Sequence, residues 1–138
     1  MENEPIFLDT SFLISYFNED DHNHTKATFL MEKVTSDYYG TLYISDYIFD
    51  EYVTVLLARI KNLSIVSSCA ENVKEGVHMI SVEQQDFDDA WTFFKKQKGT
   101  LLSFTDCVSV VLMKKHRIKD MATFDKEFER LKQLSVIS

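Results

Sequence analysis

The strongest constraint on the fold is a repeated alternation of short apolar, β-prone runs with longer segments of helical periodicity. Four short runs predict strands at residues 5–8, 41–45, 77–81 and 121–124. Apolar residues in the segments between them recur at intervals of three and four, which is typical of amphipathic helices. Because parallel strands need such crossover helices, the alternation predicts an α/β fold with a mainly parallel sheet of four or five strands, covered on both faces.

The helical segments differ in how much of their surface is apolar. They are predicted at residues 11–17, 24–34, 47–61, 64–74, 83–98 and 103–115, with a last helix after Asp125 and a short tail at 136–137. The segment 47–61 is apolar on more than one side, which predicts nearly complete burial, either centrally or at an interface. Gly99 is expected to end the segment 83–98.

The chain has the size and composition of one globular domain. It has 138 residues, of which 45% are hydrophobic, with only 3 Gly and 1 Pro, so we expect a single domain over residues 1–138. No signal peptide or membrane-spanning stretch is visible, and we expect a cytoplasmic protein with no membrane contact. Cys69 and Cys107 are far apart and belong to no Cys-x-x-Cys pair, which predicts buried thiols rather than a zinc site.

Charge is distributed unevenly along the chain. The net charge is −7, yet residues 1–94 carry 5 Lys and Arg against 17 Asp and Glu, whereas residues 95–138 carry 10 against 5. A negative total weakens a nucleic-acid hypothesis, because affinity for phosphate comes mainly from Lys and Arg. The basic part nevertheless supplies Lys114, Lys115 and Arg117 as candidate phosphate contacts, although each also suits an ordinary solvated face.

Four carboxylates stand out by position. Asp9 and Asp125 each follow a predicted strand directly, and Asp106 lies in the first turn of a helix. Each of these alone is explained by a helix cap or by the helix dipole. Glu51 differs, because it lies inside the most apolar helix, where an unpaired carboxylate is costly.

Together these four acids predict a metal site. The crevice of a parallel sheet lies beyond the carboxyl ends of its strands, where strand order reverses. Carboxylates that meet there repel one another unless a cation neutralises them. Carboxylate oxygens without a His or Cys cluster favour Mg²⁺ or Mn²⁺ over zinc. The histidines are scattered along the chain at His22, His24, His78 and His116.

Four stretches occur in the order found in PIN domains. They are LDTSFLISYF, ISDYIFDEYVTVL, LLSFTDCVSVVLM and ATFDKEF, and they span nearly the whole chain. The set resembles the VapC-type toxins, which are PIN ribonucleases of toxin–antitoxin pairs. The resemblance implies a three-layer α/β/α sandwich, in which Asp9, Glu51, Asp106 and Asp125 bind Mg²⁺ or Mn²⁺ and hydrolyse RNA phosphodiester bonds. It also implies a homodimer and an antitoxin that blocks the acidic groove.

Several details and alternatives stay open from the sequence. Thr10 and Thr105 are candidates to contact phosphate or a metal-bound water, but each is equally explained as a helix cap. Irregular or single-stranded RNA is the expected substrate, with DNA left open. The competing functions are an RNA-processing nuclease without an antitoxin and a catalytically inactive PIN-fold binding module. A phosphatase with an aspartate nucleophile would need a second acid where Ser11 stands.

Overall fold

The fold is known from a computed structural model, which describes residues 3–36 and 38–138. Within those residues the strands are β1 (Glu4–Leu8), β2 (Tyr39–Ser45), β3 (His78–Ile80), β4 (Asp120–Ala122) and β5 (Ser135–Ile137). The helices are α1 (Thr10–Phe17), α2 (His24–Val34), α3 (Asp46–Ile60), α4 (Leu63–Gly76), α5 (Gln84–Lys95) and α6 (Phe104–Lys115), followed by a 3-10 helix at Lys126–Arg130.

All described strands form one parallel sheet in the order β3-β2-β1-β4-β5. Central β1 pairs with β2 through Ile6 opposite Leu42, and with β4 through Leu8 opposite Ala122. Ile6 is fully buried, as expected for a strand covered on both faces. The α/β prediction is therefore confirmed, and the strand order reverses between β1 and β4, where a crevice is expected.

Helices α3 and α6 begin at well-capped positions. Ser45 directly ends β2, and its hydroxyl accepts a hydrogen bond from the Ile48 amide at the start of α3. Ser103 caps α6 in the same way and accepts from the Asp106 amide. Because a capping serine satisfies an otherwise free helix amide, these two helices start at defined points beside the sheet edge.

Helix α3 is less buried than its sequence suggests. Ile48, Tyr52 and Leu56 face the core, but Leu57 is 39% exposed and Ala58 is also exposed. A central position for α3 was therefore wrong, because residues such as Leu57 and Ala58 are exposed within the single chain, whereas its burial at an interface stays a prediction. Its outer apolar residues remain at the surface.

Element ends near the carboxyl edge also differ from the sequence prediction. Helix α5 ends at Lys95 rather than at residue 98, since the Gln97 side chain bonds both the amide and the carbonyl of Leu102 and holds a loop. Gly99 lies in that loop with φ 77°. Strand β4 ends at Ala122, so Asp125 follows it after two further residues.

The last two elements complete the fold. The predicted last helix is a 3-10 helix, with the Phe128 amide bonded to the Asp125 carbonyl. The predicted tail at 136–137 is strand β5, which pairs with β4.

Two predictions from composition can also be compared with the fold. Cys107 is buried and Cys69 is half-buried, and both are free thiols. Across residues 3–36 and 38–138, no helix has both the length and the apolar character needed to cross a bilayer.

Candidate active site

Asp9 is a buried carboxylate held by two hydroxyl groups. It directly follows β1 at the N-terminal cap position of α1, yet its side chain does not cap that helix. Its Oδ2 instead accepts hydrogen bonds from Ser11 Oγ at 2.9 Å and Thr123 Oγ1 at 2.7 Å. Burial raises the pKa of Asp9, the two hydroxyls partly oppose this shift, and the charge of Glu51 adds to it. The helix-cap explanation for Asp9 is therefore wrong.

Asp106 lies at the start of α6, where the charges of other acids affect its pKa. Its Oδ2 accepts a hydrogen bond from the Ser103 amide at 3.0 Å, which completes a reciprocal capping box. Burial raises the pKa of Asp106 to about 7, and the charges of Asp9 and Asp125 contribute to this rise. Electrostatic repulsion thus links three of the predicted acids.

Asp125 caps the 3-10 helix with one oxygen. Its Oδ1 accepts a hydrogen bond from the Glu127 amide at 3.0 Å, while its own amide donates to Thr123 Oγ1 at 3.0 Å. Thr123 therefore connects the loops after β1 and β4, since its hydroxyl contacts both Asp9 and the Asp125 backbone.

Glu51 comes from the neighbouring helix α3 and completes the set. It is half-buried and lines a cavity of about 390 Å³ together with Thr10 and Asp125. Because its charge contributes to the raised pKa of Asp9, Glu51 lies within electrostatic range of that carboxylate. The fold thus brings Asp9, Glu51, Asp106 and Asp125 to one end of the sheet, from four separate segments.

An arginine also lines this cavity. Arg59, two helical turns after Glu51, donates from Nη1 to Asp21 Oδ2 at 3.2 Å. Burial alone would raise the pKa of Asp21, but hydrogen bonds from the Asn23 amide and Ser15 and the nearby charges of His22 and Arg59 lower it overall. Asp21 is therefore ionised, and its hydrogen bond orients the guanidinium group of Arg59.

The donor set fits a hard divalent cation by its chemistry. Within the described part of the chain, the second carboxylate oxygen of Asp106 and of Asp125 accepts no hydrogen bond. Thr10 Oγ1 is buried beside Asp9 and lacks a hydrogen-bond partner among the same residues. No three acidic, His or Cys side chains in residues 3–36 and 38–138 are grouped closely enough to hold a metal ion.

The other predicted contacts lie at different distances from the acids. Thr105 is half-buried next to Asp106. Lys114 is about 12 Å further along the α6 axis, at a rise of 1.5 Å per residue, and Arg117 lies beyond the end of that helix. Lys115 binds Asp86 on α5 at 3.1 Å and Glu83, the N-cap residue of that helix, at 3.6 Å. The structure therefore does not bring these three cations to the carboxylates.

Two positioning residues were missed by the sequence reasoning. Ser11 and Thr123 orient Asp9, and Ser11 Oγ also accepts from the Phe124 amide at 3.0 Å. A signal for them exists, because each hydroxyl residue stands two positions from a predicted acid, in Asp9-x-Ser11 and Thr123-x-Asp125. Only the pairing of β1 with β4 shows that these two short patterns meet.

Comparisons with known proteins place the chain among its relatives. The chain is 25% identical over 123 residues to the 23S rRNA-specific endonuclease VapC20 of Mycobacterium tuberculosis, covering 89% of this chain and 91% of that protein. The crystal structure of the same relative, described as a toxin that cleaves the sarcin–ricin loop, superposes with a TM-score of 0.82 at 24% identity, over 94% of this chain and 96% of the other.

Toxin–antitoxin complexes share the fold at lower identity. A complex from Klebsiella pneumoniae gives a TM-score of 0.70 at 14% identity, covering 96% of each chain. VapBC2 from Rickettsia felis, bound to a promoter DNA fragment, gives 0.69 at 15% identity, covering 96% of this chain and 97% of the other. The PIN domain profile matches residues 6–134. Because that match spans nearly the whole sequence, this protein belongs to the PIN domain family.

Proposed function

We propose that this protein is a cytoplasmic, Mg²⁺- or Mn²⁺-dependent endoribonuclease whose site comprises Asp9, Glu51, Asp106 and Asp125. The main support is the convergence of these acids, with the pKa of Asp106 raised to about 7 by burial and by the charges of Asp9 and Asp125. Clustered carboxylates at this edge are costly without a counter-charge, and a divalent cation supplies one.

The acids would hold the metal ion in the proposed reaction. When bound, the metal ion would polarise the scissile phosphate and lower the pKa of a bound water. Asp9, oriented by Ser11 and Thr123, would hold the ion together with Glu51 and Asp106. Asp125 would contribute its second oxygen directly or through water, and the Thr10 hydroxyl would donate to a phosphate oxygen or to water.

We further propose that the nuclease is the toxin of a type II toxin–antitoxin pair and forms a homodimer. Support comes from its likeness to VapC20 and from the shared fold of the toxin–antitoxin complexes. Because VapC20 is described as acting on 23S rRNA, a structured ribosomal RNA loop is the proposed substrate class. An antitoxin segment would cover the acidic groove.

The central test is cleavage of a sarcin–ricin-type RNA hairpin by the purified protein. We expect cutting with Mg²⁺ or Mn²⁺, none after chelation, and at least a hundredfold loss in Asp9→Asn and Asp106→Asn. Asp50→Asn is the matched control, because Asp50 is exposed and adjacent to Glu51 on α3. Cutting that survives chelation, or that is unchanged in both site variants, would contradict the proposal.

A second experiment separates the toxin from its alternatives. Co-expression with the product of an adjacent small reading frame should give a stable complex in which RNA cleavage is suppressed. Cleavage without such an inhibitor would indicate an RNA-processing nuclease. Metal and RNA binding without any cleavage would indicate an inactive binding module.

A further inference from the structure

A second, larger cavity adjoins the carboxylate site. It measures about 820 Å³ and lies between α2 and the segment that follows β4. It shares His22, Asn23 and Phe124 with the cavity that Glu51 and Asp125 line. Thr123, whose hydroxyl binds Asp9, also lines it. The two cavities therefore form one groove, and we call its larger part the α2 groove.

Three lysines line the α2 groove. Lys26 and Lys33 lie two turns apart on one face of α2, and Lys126 directly follows Asp125. None of the three forms an ion pair with the described residues, in contrast to Lys115, which is held by α5. Glu129 is the one acidic side chain among the described residues that line the groove. In a protein of net charge −7, this groove is a local positive surface.

An exposed aromatic ring stands between the two lysines of α2. Phe29 lines the groove with 70% of its surface exposed, so it contributes little to the core. Successive bases of single-stranded RNA stack on such rings, and lysines beside them contact the phosphates. Paired bases in an A-form helix do not offer their faces in this way, so the combination favours an unpaired strand.

We propose that the α2 groove binds the substrate strand on one side of the scissile bond. Lys26, Lys33 and Lys126 contact its phosphates, and Phe29 stacks on an unpaired base. This inference rests on the proposed ribonuclease function and names a binding surface for it. It also replaces the distant Lys114, Lys115 and Arg117 as the main phosphate contacts.

The test measures binding rather than cleavage, so that it does not depend on activity. Fluorescence anisotropy of a labelled single-stranded RNA is followed over a range of salt concentrations, in EDTA, with the full-length protein. The triple variant Lys26→Ala/Lys33→Ala/Lys126→Ala should bind about a hundredfold more weakly at 0.1 M salt. Its slope of log K against log salt should fall in magnitude by about two, since each lost single-strand contact contributes about 0.7. The control Lys74→Ala/Lys132→Ala removes two exposed lysines elsewhere and should change neither value.

Phe29→Ala tests the stacking contact by a different signature. Affinity should fall about tenfold while the salt slope stays unchanged, because stacking releases no counterions. Circular dichroism checks folding, which the exposure of Phe29 should leave intact.

The outcomes distinguish this inference from the proposed function. If the triple variant keeps its RNA affinity and its salt slope, RNA does not bind in the α2 groove, even if the protein cuts RNA. If the triple variant loses antitoxin binding but keeps RNA binding, the proposal is also wrong, and the α2 groove binds the antitoxin instead. Lysine-dependent RNA binding by a protein that cuts nothing would support the groove and contradict the nuclease proposal.

Discussion

At the residue scale, the candidate site depends on hydroxyl groups as much as on its acids. A carboxylate that is 3% exposed, as Asp9 is, must be hydrogen-bonded to remain ionised at low cost. Ser11 and Thr123 supply those bonds to a single oxygen, and their own hydroxyl oxygens lie 3.2 Å apart. The network therefore fixes how Asp9 is oriented toward the groove, before any metal ion or substrate binds.

Thr123→Val removes the hydroxyl that donates to Asp9 and keeps the shape of the side chain. Thr123 is buried, and the change leaves the Asp125 amide without its hydroxyl acceptor and Asp9 with one hydroxyl donor fewer. We expect Mn²⁺ affinity, measured by calorimetry, to fall about 10- to 100-fold and unfolding free energy to fall by about 1–3 kcal/mol. Thr28→Val is the control, because its exposed hydroxyl bonds only its own helix. Unaltered metal affinity in Thr123→Val would remove the positioning role.

The raised pKa of Asp106 predicts that the stability of the metal-free protein depends on pH. The pKa of this carboxyl is about 7 when folded and near 3.8 when unfolded, so the folded state keeps its proton longer. Stability therefore falls as pH rises from about 4 to 7, and is constant above that window as far as this group is concerned. In EDTA, the unfolding free energy of Asp106→Asn should exceed that of the wild type by about 1–3 kcal/mol at pH 8 and equal it near pH 4.

Urea denaturation at both pH values measures this difference. Asp50→Asn is the control, and an exposed substitution of this kind should stay within about 0.5 kcal/mol. If the stability difference between wild type and Asp106→Asn were the same at pH 4 and pH 8, the pKa of Asp106 would not be raised in the folded protein.

At the element scale, antiparallel packing of α5 against α6 positions Asp106. Lys115 at the end of α6 binds Asp86 in the first turn of α5, whereas Phe104 at the start of α6 contacts Trp91 and Phe94 nearer the end of α5. Asp86 is 2% exposed and also accepts from the Glu83 amide at 3.0 Å. This pairing ties the two helices together at the end opposite the site.

Asp86→Asn should loosen that attachment in a pH-dependent way. Burial alone would raise the pKa of Asp86, but the Glu83 amide and Lys115 lower it overall. A lowered folded pKa gives stability that is present above pH 4 and is lost as pH falls through the folded value. We expect Asp86→Asn to cost about 1–2 kcal/mol at pH 7 in urea denaturation, with the difference shrinking below pH 4.

Asp88→Asn on the exposed side of α5 provides the comparison and should be nearly neutral. Equal effects of the two substitutions would indicate that the bond to Lys115 does not stabilise the packing of α5 on α6.

At the scale of the whole molecule, the sheet topology places the site. The chain leaves β1 toward β2 and β3 on one side, then returns to β4 on the other. The reversal sets the loops after β1 and β4 next to each other, with α3 entering from the end of β2. The topology thus brings four acids from distant parts of the sequence to the same end of the sheet.

Metal binding should stabilise the whole fold by mass action. At a Mn²⁺ concentration 100 times its dissociation constant, the gain is about 2.7 kcal/mol, which for a chain of this size raises Tm by roughly 10 °C. Asp9→Asn and Asp106→Asn should lose most of this shift, and Asp50→Asn should keep it. Differential scanning calorimetry with and without EDTA provides the measurement. An unchanged wild-type Tm at millimolar Mn²⁺ would argue against a metal site.

The sequence by itself determined the fold class and the positions of the acids. Hydrophobic periodicity is a local property, so it located α2 at its observed bounds and placed β1, α3 and α6 to within two residues. The PIN resemblance rested on short stretches around the acids, and the family assignment confirms it. The metal-binding roles of Asp9, Glu51, Asp106 and Asp125 remain predictions.

Tertiary structure alone decided what depends on contacts between distant segments. The Ser11–Asp9–Thr123 network joins residues 114 positions apart, and only the pairing of β1 with β4 brings them together. The exposure of one side of α3 and the pairing of β5 with β4 depend on what packs against each element, which periodicity does not encode. The same reason explains the difference in basic residues. Charge counted along the chain favoured Lys114, Lys115 and Arg117, whereas the folded surface presents Lys26, Lys33 and Lys126 in a cavity that adjoins the one lined by Glu51 and Asp125.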